Sequence, residues 1–158
     1  MRMRGDAART RALLLAWLCG LAPASARAAC EIRNVVGLSF LNYTSTSSLP
    51  LDAAGSITFR CTIVQLTPVT IDLGAGGSNN HVARRMTGPS SSTLAYNLYV
   101  DTARLSVWGN GAGGTSRYGP VIPLLGLDIT VPIYGRVPAL QSVAAGSYSD
   151  TLVVTVNF

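Results

Sequence analysis

Residues 56–63 read SITFRCTI, and their apolar side chains occupy every second position. Ile57, Phe59, Cys61 and Ile63 therefore share one face of an extended chain, because successive side chains of a β-strand point to opposite sides. The intervening Ser, Thr and Arg side chains suit the other, wetter face. The stretch predicts a half-buried strand whose cysteine points into a core.

The same alternation recurs in segments rich in Val, Ile, Thr and Tyr, which strands favour. These segments are VGLSF at 36–40, VTIDL at 69–73, LAYNLYV at 94–100, LSVW at 105–108, ITVPIYG at 129–135 and YSDTLVVTVNF at 148–158. Turn clusters such as TSTSSLPLDAAG and GAGGSNN separate them. Six or seven short strands with such connections predict a single all-β domain, an antiparallel β-sandwich. Pro132 inside ITVPIYG indicates an edge position or a bulge.

Residues 1–28 have the pattern of a secretory signal peptide. Four arginines precede the apolar run ALLLAWLCGLA at 12–22, and the small residues PASARAA follow it. The run is short for a membrane span, and Pro23 breaks it. We expect cleavage after Ala26 or Ala28, leaving residues 29–158 as the mature domain, with no membrane insertion afterwards.

The formal net charge of +5 comes largely from this leader. From Ala29 onward seven arginines face six acids, which is a formal net charge of +1. Such a balance offers no basic stripe for nucleic acid or for an anionic lipid surface. We therefore expect no nucleic-acid partner.

Cleavage also removes Cys19, so that Cys30 and Cys61 remain as a pair in an oxidising compartment. A structural disulfide between them is the favoured interpretation. The alternative, a redox or metal-binding pair, would have only His81 to assist it. We expect no metal and no cofactor.

The glycines of WGNGAGG at 108–114 have the spacing G-x-G-x-x-G, and Asp128 follows at a distance typical of a dinucleotide-binding fingerprint. That fingerprint requires a helix directly after the glycines, since the helix N-terminus binds the pyrophosphate. Here TSRYGPVIP follows, and its two prolines do not suit a helix. The stretch is therefore interpreted as a surface loop.

Catalysis finds no support elsewhere in the sequence. A nucleophilic triad requires a base beside a Ser or Cys. The single histidine, His81, lies in a Gly/Asn-rich segment, and the sequence has no G-x-S-x-G elbow. The spacing of Asp72, Asp101 and Asp150 gives no paired-carboxylate signature. We expect no catalytic residues and no enzyme activity.

The chain ends on TLVVTVNF, with Leu152, Val154, Val156 and Phe158 on one face of a predicted strand. Such a strand either neighbours another strand or lies exposed at a sheet edge, and exposed apolar edges promote aggregation unless they are covered. One way to cover the edge is a strand from another molecule, added by main-chain pairing.

Taken together, several motifs resemble the spore coat protein U domain family, which includes subunits of archaic (Csu-type) chaperone–usher pili. The resemblance covers nearly all of residues 30–158, and its carriers are CEIRNVVGLSF, GSITFRC, RRMTG with LAYNLYVDTARLSVWGNG, VPIYGRVPA and AAGSYSDTLVVTVNF. It implies an immunoglobulin-like sandwich that lacks one strand. It also implies a periplasmic chaperone that fills the groove, an outer-membrane usher, and other pilin subunits that donate a strand. By the same resemblance Cys30 and Cys61 join the first two strands.

The expected groove for the chaperone or donor strand is lined by apolar residues from the first and last strands: Val36, Leu38, Phe40, Leu152, Val154, Val156 and Phe158. Because Cys30 closely follows the expected cleavage site, no donor segment precedes it, and we expect a subunit that accepts a strand without donating one.

The expected protein is thus an exported, surface-located pilus subunit, terminal or at the tip, with a role in adhesion and biofilm formation. Its adhesive loops would be GGSNNHV and WGNGAGG. The alternatives are a spore-coat or extracellular-matrix structural protein, or a monomeric secreted module that binds a surface or a carbohydrate.

Overall fold

A computed structural model describes residues 30–62, 68–124 and 126–158. The predicted signal peptide, with Cys19, and the predicted strand residue Ile63 lie outside these ranges. Within them the chain forms antiparallel strands and two short 3₁₀ turns, Gly76–Ser78 and Pro89–Ser91. In chain order the strands are β1 (Cys30–Val36), β2 (Leu51–Cys61), β3 (Val69–Leu73), β4 (Arg85–Thr87), β5 (Thr93–Ala95), β6 (Asn97–Tyr99), β7 (Tyr118–Val121), β8 (Asp128–Val137) and β9 (Val154–Asn157).

Two antiparallel sheets enclose one core, as the sequence predicted. The first sheet has the order β1-β2-β8-β6, and the second has the order β7-β3-β9. A small β4-β5 hairpin accompanies them. The alternating residues Ile57 and Phe59 of β2, and Val69, Ile71 and Leu73 of β3, are buried. The period-two pattern therefore identified the inward faces of both central strands correctly.

The strand β2 begins at Leu51, five residues before the predicted start, and takes in LDAAG from a predicted turn cluster. These residues have weak intrinsic strand preference. They are extended because β8 lies alongside them, pairing Leu51 with Val137 and Ala53 with Gly135. Tertiary pairing thus overrides local preference here.

Four other predicted strands were wrong in extent. Of YSDTLVVTVNF at 148–158, only Val154–Asn157 forms a strand, β9. VGLSF belongs to a strand only at Val36, where β1 ends, and the following residues are irregular. LAYNLYV divides into β5, which pairs with β4, and β6, which pairs with β8. LSVW forms only single bridging pairs, Val107 with Tyr99 and Trp108 with Ser116.

Pro132 occupies the position that its missing N–H permits. It lies in β8 opposite Ser56 of β2, while β6 pairs with β8 only from Tyr134 to Arg136. The strand is central in the sheet order but is a local edge at Pro132, in agreement with the edge alternative of the sequence prediction.

The disulfide joins Cys30 at the start of β1 to Cys61 at the end of β2, 31 residues apart. Cys61 is buried in the core, and Cys30 packs against it from the edge strand. The bond therefore attaches β1 covalently to the sheet that it borders.

Replacing both cysteines with alanine should lower the unfolding free energy by about 3–4 kcal/mol, because a loop of this length gains conformational entropy once it is opened. Denaturant unfolding of the oxidised protein measures the loss. A reducing agent should produce a similar loss in the parent chain and none in the double variant. A loss below about 1 kcal/mol in both the double variant and the reduced parent chain would contradict a structural role for the disulfide.

The side chain of Arg84 is fully buried, and no carboxylate of the described residues is in hydrogen-bond contact with it. Its guanidinium donates to the carbonyls of Gly74, His81 and Trp108 and to the side chain of Asn97, at 2.7–3.2 Å. Burial lowers the pKa of this guanidinium. Arg84 thereby connects the loop after β3, the start of β6 and the residue that precedes the glycine loop.

Replacing Arg84 with methionine should destabilise the fold by at least about 3 kcal/mol, because several buried carbonyls lose their donors. The neighbouring Arg85 is exposed, and Arg85→Met should cost less than about 0.5 kcal/mol. Denaturant unfolding of the two variants tests this contrast. Equal stability of the pair would show that the buried hydrogen bonds contribute little.

Candidate functional site

The last strand, β9, has a free edge. On one side it pairs with β3, matching Leu73 with Val154 and Ile71 with Val156. Within the described residues no strand pairs with its other side. The backbone groups on that side can therefore hydrogen-bond an additional strand.

Two other sheet edges carry features that hinder such pairing. At the opposite edge of the same sheet, β7 contains Pro120, which has no N–H to donate. At the edge of the first sheet, β1 changes register between Ile32 and Asn34, and its Glu31 and Arg33 form an exposed ion pair. The edge of β9 has no proline, no charged residue and no shift in its register with β3.

Beside this edge lies an open cavity of about 870 Å³. Its floor consists of core side chains that belong to both sheets and to the β4-β5 hairpin: Leu73, Met86, Leu94, Tyr96, Leu98 and Ile133. One wall is the segment that follows β1, and the other is the segment that leads into β9. The core of the sandwich is therefore incompletely covered along β9.

The first wall lies close to the sheet because two glycines leave room for it. A Cβ on Gly135 would come closer than 3 Å to Leu38 and Phe40, and a Cβ on Gly55 would collide with the Val36 carbonyl. Phe40 packs edge-on against Tyr96, with 6.0 Å between ring centroids. Leu38 and Phe40 are thus held over β8 at the margin of the cavity.

The second wall is tied to the β4-β5 hairpin. Ser149 and Thr87 exchange backbone hydrogen bonds, and the Tyr148 hydroxyl donates to the Ala144 carbonyl and accepts from the Ser92 hydroxyl. From Tyr148 onward alternate residues are half-buried, so that Asp150, Leu152 and Val154 face the cavity.

Of the seven residues expected to line a groove, four line the cavity: Leu38, Phe40, Leu152 and Val154. Val156 packs against the core in the same row but beyond the cavity lining. Val36 and Phe158 are about half exposed, at 49% and 52%, and lie outside the lining. The adjacent Val35 lines the cavity in place of Val36, so the alternation of Leu38 and Phe40 does not extend back into β1.

The expected groove omitted several residues of this site, Met86 and Asp150 among them. Met86 lies in a three-residue strand that is too short to show a period, although RRMTG was noted as a family motif. Asp150 was considered only as a possible catalytic acid, yet it has the same parity as Leu152 and Val154. That parity was the available signal.

The Asp150 carboxylate is held by three donors at the end of the cavity. Oδ2 accepts from the Tyr96 hydroxyl at 2.7 Å, and Oδ1 accepts from the backbone N–H groups of Gly77 and Thr151 at 2.9 and 2.8 Å. Burial, together with the hydrogen bond to Asp150, raises the pKa of Tyr96 well above its usual range. The Tyr96 hydroxyl therefore stays protonated at neutral pH and donates to Asp150.

The glycine spacing of WGNGAGG does not build a phosphate site. A strand, β7, follows it where a fingerprint would require a helix, and Asp128 forms an ion pair with Arg60 at 2.7 Å. Residues 110–114 form an exposed loop, but Trp108 and Gly109 are buried, which corrects the prediction of a surface loop for the whole stretch. The Trp108 indole N–H donates to the Ile71 carbonyl, so its ring belongs to the core.

The described residues contain no group of three or more His, Cys, Asp or Glu side chains placed to hold a metal ion. They also contain no helix with the length and apolar character needed to cross a membrane.

Replacing Gly135 with alanine should displace Leu38 and Phe40 and cost about 1–3 kcal/mol in unfolding free energy. Gly37→Ala in the same wall is the matched control, because a Cβ there meets nothing within 4 Å. Denaturant unfolding measures both. If the two variants are equally stable, the first wall does not depend on contact with β8.

Residues 17–155 match the Spore Coat Protein U domain family. The chain is 35% identical over 145 residues to Protein U of Myxococcus xanthus, a match that covers 82% of this chain and 78% of that protein. A similar fold occurs in the solved pre-assembly complex of CsuC and CsuE, a chaperone and a tip adhesion subunit of the archaic chaperone–usher Csu pili of Acinetobacter baumannii. That likeness has a TM-score of 0.52 at 22% identity and covers 84% of this chain, which spans only 40% of the solved chain.

Proposed function

This chain belongs to the Spore Coat Protein U domain family, and we propose that it is an exported structural subunit of a chaperone–usher surface fibre, a pilus. In this role it accepts a β-strand from a neighbouring subunit along β9. The observation that carries the proposal is the free edge of β9 beside a cavity floored by the core.

The physical basis is that one added strand meets two needs of the fold. Its backbone hydrogen-bonds the free N–H and C=O groups of β9, and its alternate side chains enter the cavity. Leu152 and Val154 offer apolar contacts along that strand, and Leu38 and Phe40 offer them from the opposite wall. Burying this surface would stabilise the subunit by about 25 cal/mol for each Å² of apolar area.

The proposed partners follow from the family. A periplasmic chaperone occupies the site after export, an outer-membrane usher exchanges it for another subunit, and the fibre carries the protein to the cell surface. The role is structural and involves no catalysis. This assignment is in keeping with CsuE, the tip adhesion subunit in the similar solved complex.

We further propose a tip or terminal location, with a role in surface adhesion and biofilm formation. Two loops suit this role, residues 74–83 after β3 and residues 109–116 after Trp108. Arg84 and the hydrogen bond from the Leu73 N–H to the Gly109 carbonyl hold both loops together, so that they leave the sandwich side by side. A single contact surface could thus use both.

A spore-coat structural subunit is the second candidate. The 35% identity to Protein U and the family description favour it. Strand acceptance along β9 would serve a coat as well as a fibre. Immunogold labelling of intact cells and spores distinguishes the two assemblies.

The test of strand acceptance fuses the alternating peptide TVTVTVTVT after Phe158 through a short Gly/Ser linker, which returns the peptide antiparallel along β9. If the linked peptide is present at about a thousand times its dissociation constant, the unfolding free energy should rise by about 4 kcal/mol. Denaturant unfolding of the fused and parent chains measures the gain. The negative control replaces each Thr of the peptide with Pro, which removes backbone donors.

Two adjacent valines give a matched pair within the fused chain. Val154→Asp should abolish the gain, because it places a charge in the cavity. Val153→Asp should preserve the gain, because this side chain is 70% exposed. The opposite outcome is a parent chain that is already a stable monomer and whose unfolding free energy neither the TVTVTVTVT peptide nor the proline-containing peptide changes. That result would favour a self-sufficient surface-binding module instead.

A further inference from the structure

Among the described residues that line the cavity, Asp150 is the only charged one. It stands in the inward row of half-buried residues that continues through Leu152 and Val154. A strand lying along β9 would therefore meet apolar side chains over most of its length and a carboxylate at one end. The site is not uniformly apolar, and its one charge has a fixed place.

The position of this carboxylate is determined by its surroundings. Gly77, Thr151 and Tyr96 donate to it, and the backbone of Gly76 lies so close to Oδ2 that a Cβ there would collide with it. A carboxylate offers about four acceptor positions, of which these donors use three. Among the described residues, Oδ2 receives only the Tyr96 hydroxyl, so that it has a further acceptor position for an incoming donor.

The nearest buried cation does not occupy that position. Arg84 attracts Asp150 electrostatically, but all its N–H contacts go to carbonyl oxygens and to Asn97. Arg84 is also absent from the cavity lining. An occupant of the cavity would therefore meet the carboxylate without an intervening guanidinium.

We propose that Asp150 selects the strand that enters the site, favouring one whose side chain opposite Asp150 is basic or donates a hydrogen bond, and rejecting one with an acid there. The inference rests on the proposed strand acceptance and specifies the chemistry of the partner strand. Attraction and repulsion between charges are stronger at a partly buried site than in bulk water, because the effective dielectric constant is lower. Juxtaposing like charges is an established way to exclude wrong partners.

The experiment uses the full fused chain carrying TVTVTVTVT. Lys, Gln and Glu replace each residue of the peptide in turn, and the docking constant is obtained from denaturant unfolding relative to the proline-containing control. At the position opposite Asp150, Lys should dock at least tenfold more tightly than Glu, with Gln between them. Positions of the opposite parity should show no such difference. The Lys–Glu contrast should shrink in 1 M salt, where charges are screened beyond about 3 Å.

A double-mutant comparison assigns the effect to this carboxylate. Asp150→Asn retains an oxygen acceptor for the Tyr96 hydroxyl and should abolish the contrast between Lys and Glu. Asp128→Asn is the control, because Asp128 pairs with Arg60 and is not among the cavity-lining residues. It should leave the contrast intact. If the Asp150→Asn variant does not fold, the position scan in the fused chain that retains Asp150, together with its salt dependence, still tests the selection.

The outcomes separate the two proposals. If the unmodified peptide docks but Lys and Glu are equivalent at every position, selection by Asp150 is refuted and strand acceptance stands. If a contrast persists undiminished in the Asp150→Asn chain, another group is responsible and the inference is also refuted. If no peptide stabilises the chain, strand acceptance itself fails.

Discussion

The backbone of β9 needs hydrogen-bond partners on both sides, and the described part of the chain supplies a strand on one. Buried backbone groups without partners are costly, so a strand in this position must either remain wet or acquire a neighbour. Beside β9 the core is uncovered, with Leu94 and Ile133 at the floor of an open cavity. The free edge and the uncovered core are therefore two aspects of one incomplete sandwich.

The rest of the structure keeps this opening in shape. The disulfide holds β1 at the edge of the first sheet, and the glycines at 55 and 135 let the chain after β1 pass close over β2 and β8. On the other side of the cavity, Tyr148 and Ser149 hydrogen-bond the segment that leads into β9 to the β4-β5 hairpin. In the proposed function, anchored walls would let the opening receive a strand without large rearrangement, which lowers the cost of binding.

Much of the site could be predicted from alternation alone, because a side chain's parity in a strand decides which face it occupies. Leu38, Phe40, Leu152 and Val154 were identified in this way and line the cavity. Val36 was assigned to the wrong face, since Val35 lines the cavity in its place, and Phe158 lies beyond the lining, because alternation does not indicate where a groove ends. Met86 was missed because its strand is too short for a period, and Asp150 because a charged residue in an apolar row was not expected.

By itself, the sequence determined the all-β class, the inward faces of β2 and β3 and the cysteine pair, since each depends on residues close together in the chain or on their chemistry. Only the tertiary structure decided that LDAAG is strand, that Arg84 is buried among carbonyls, and that β9 has one partner. The physical reason is that pairing and burial join segments far apart in sequence. The Asp52–Arg136 ion pair across β2 and β8 is one such contact, and no local pattern contains it.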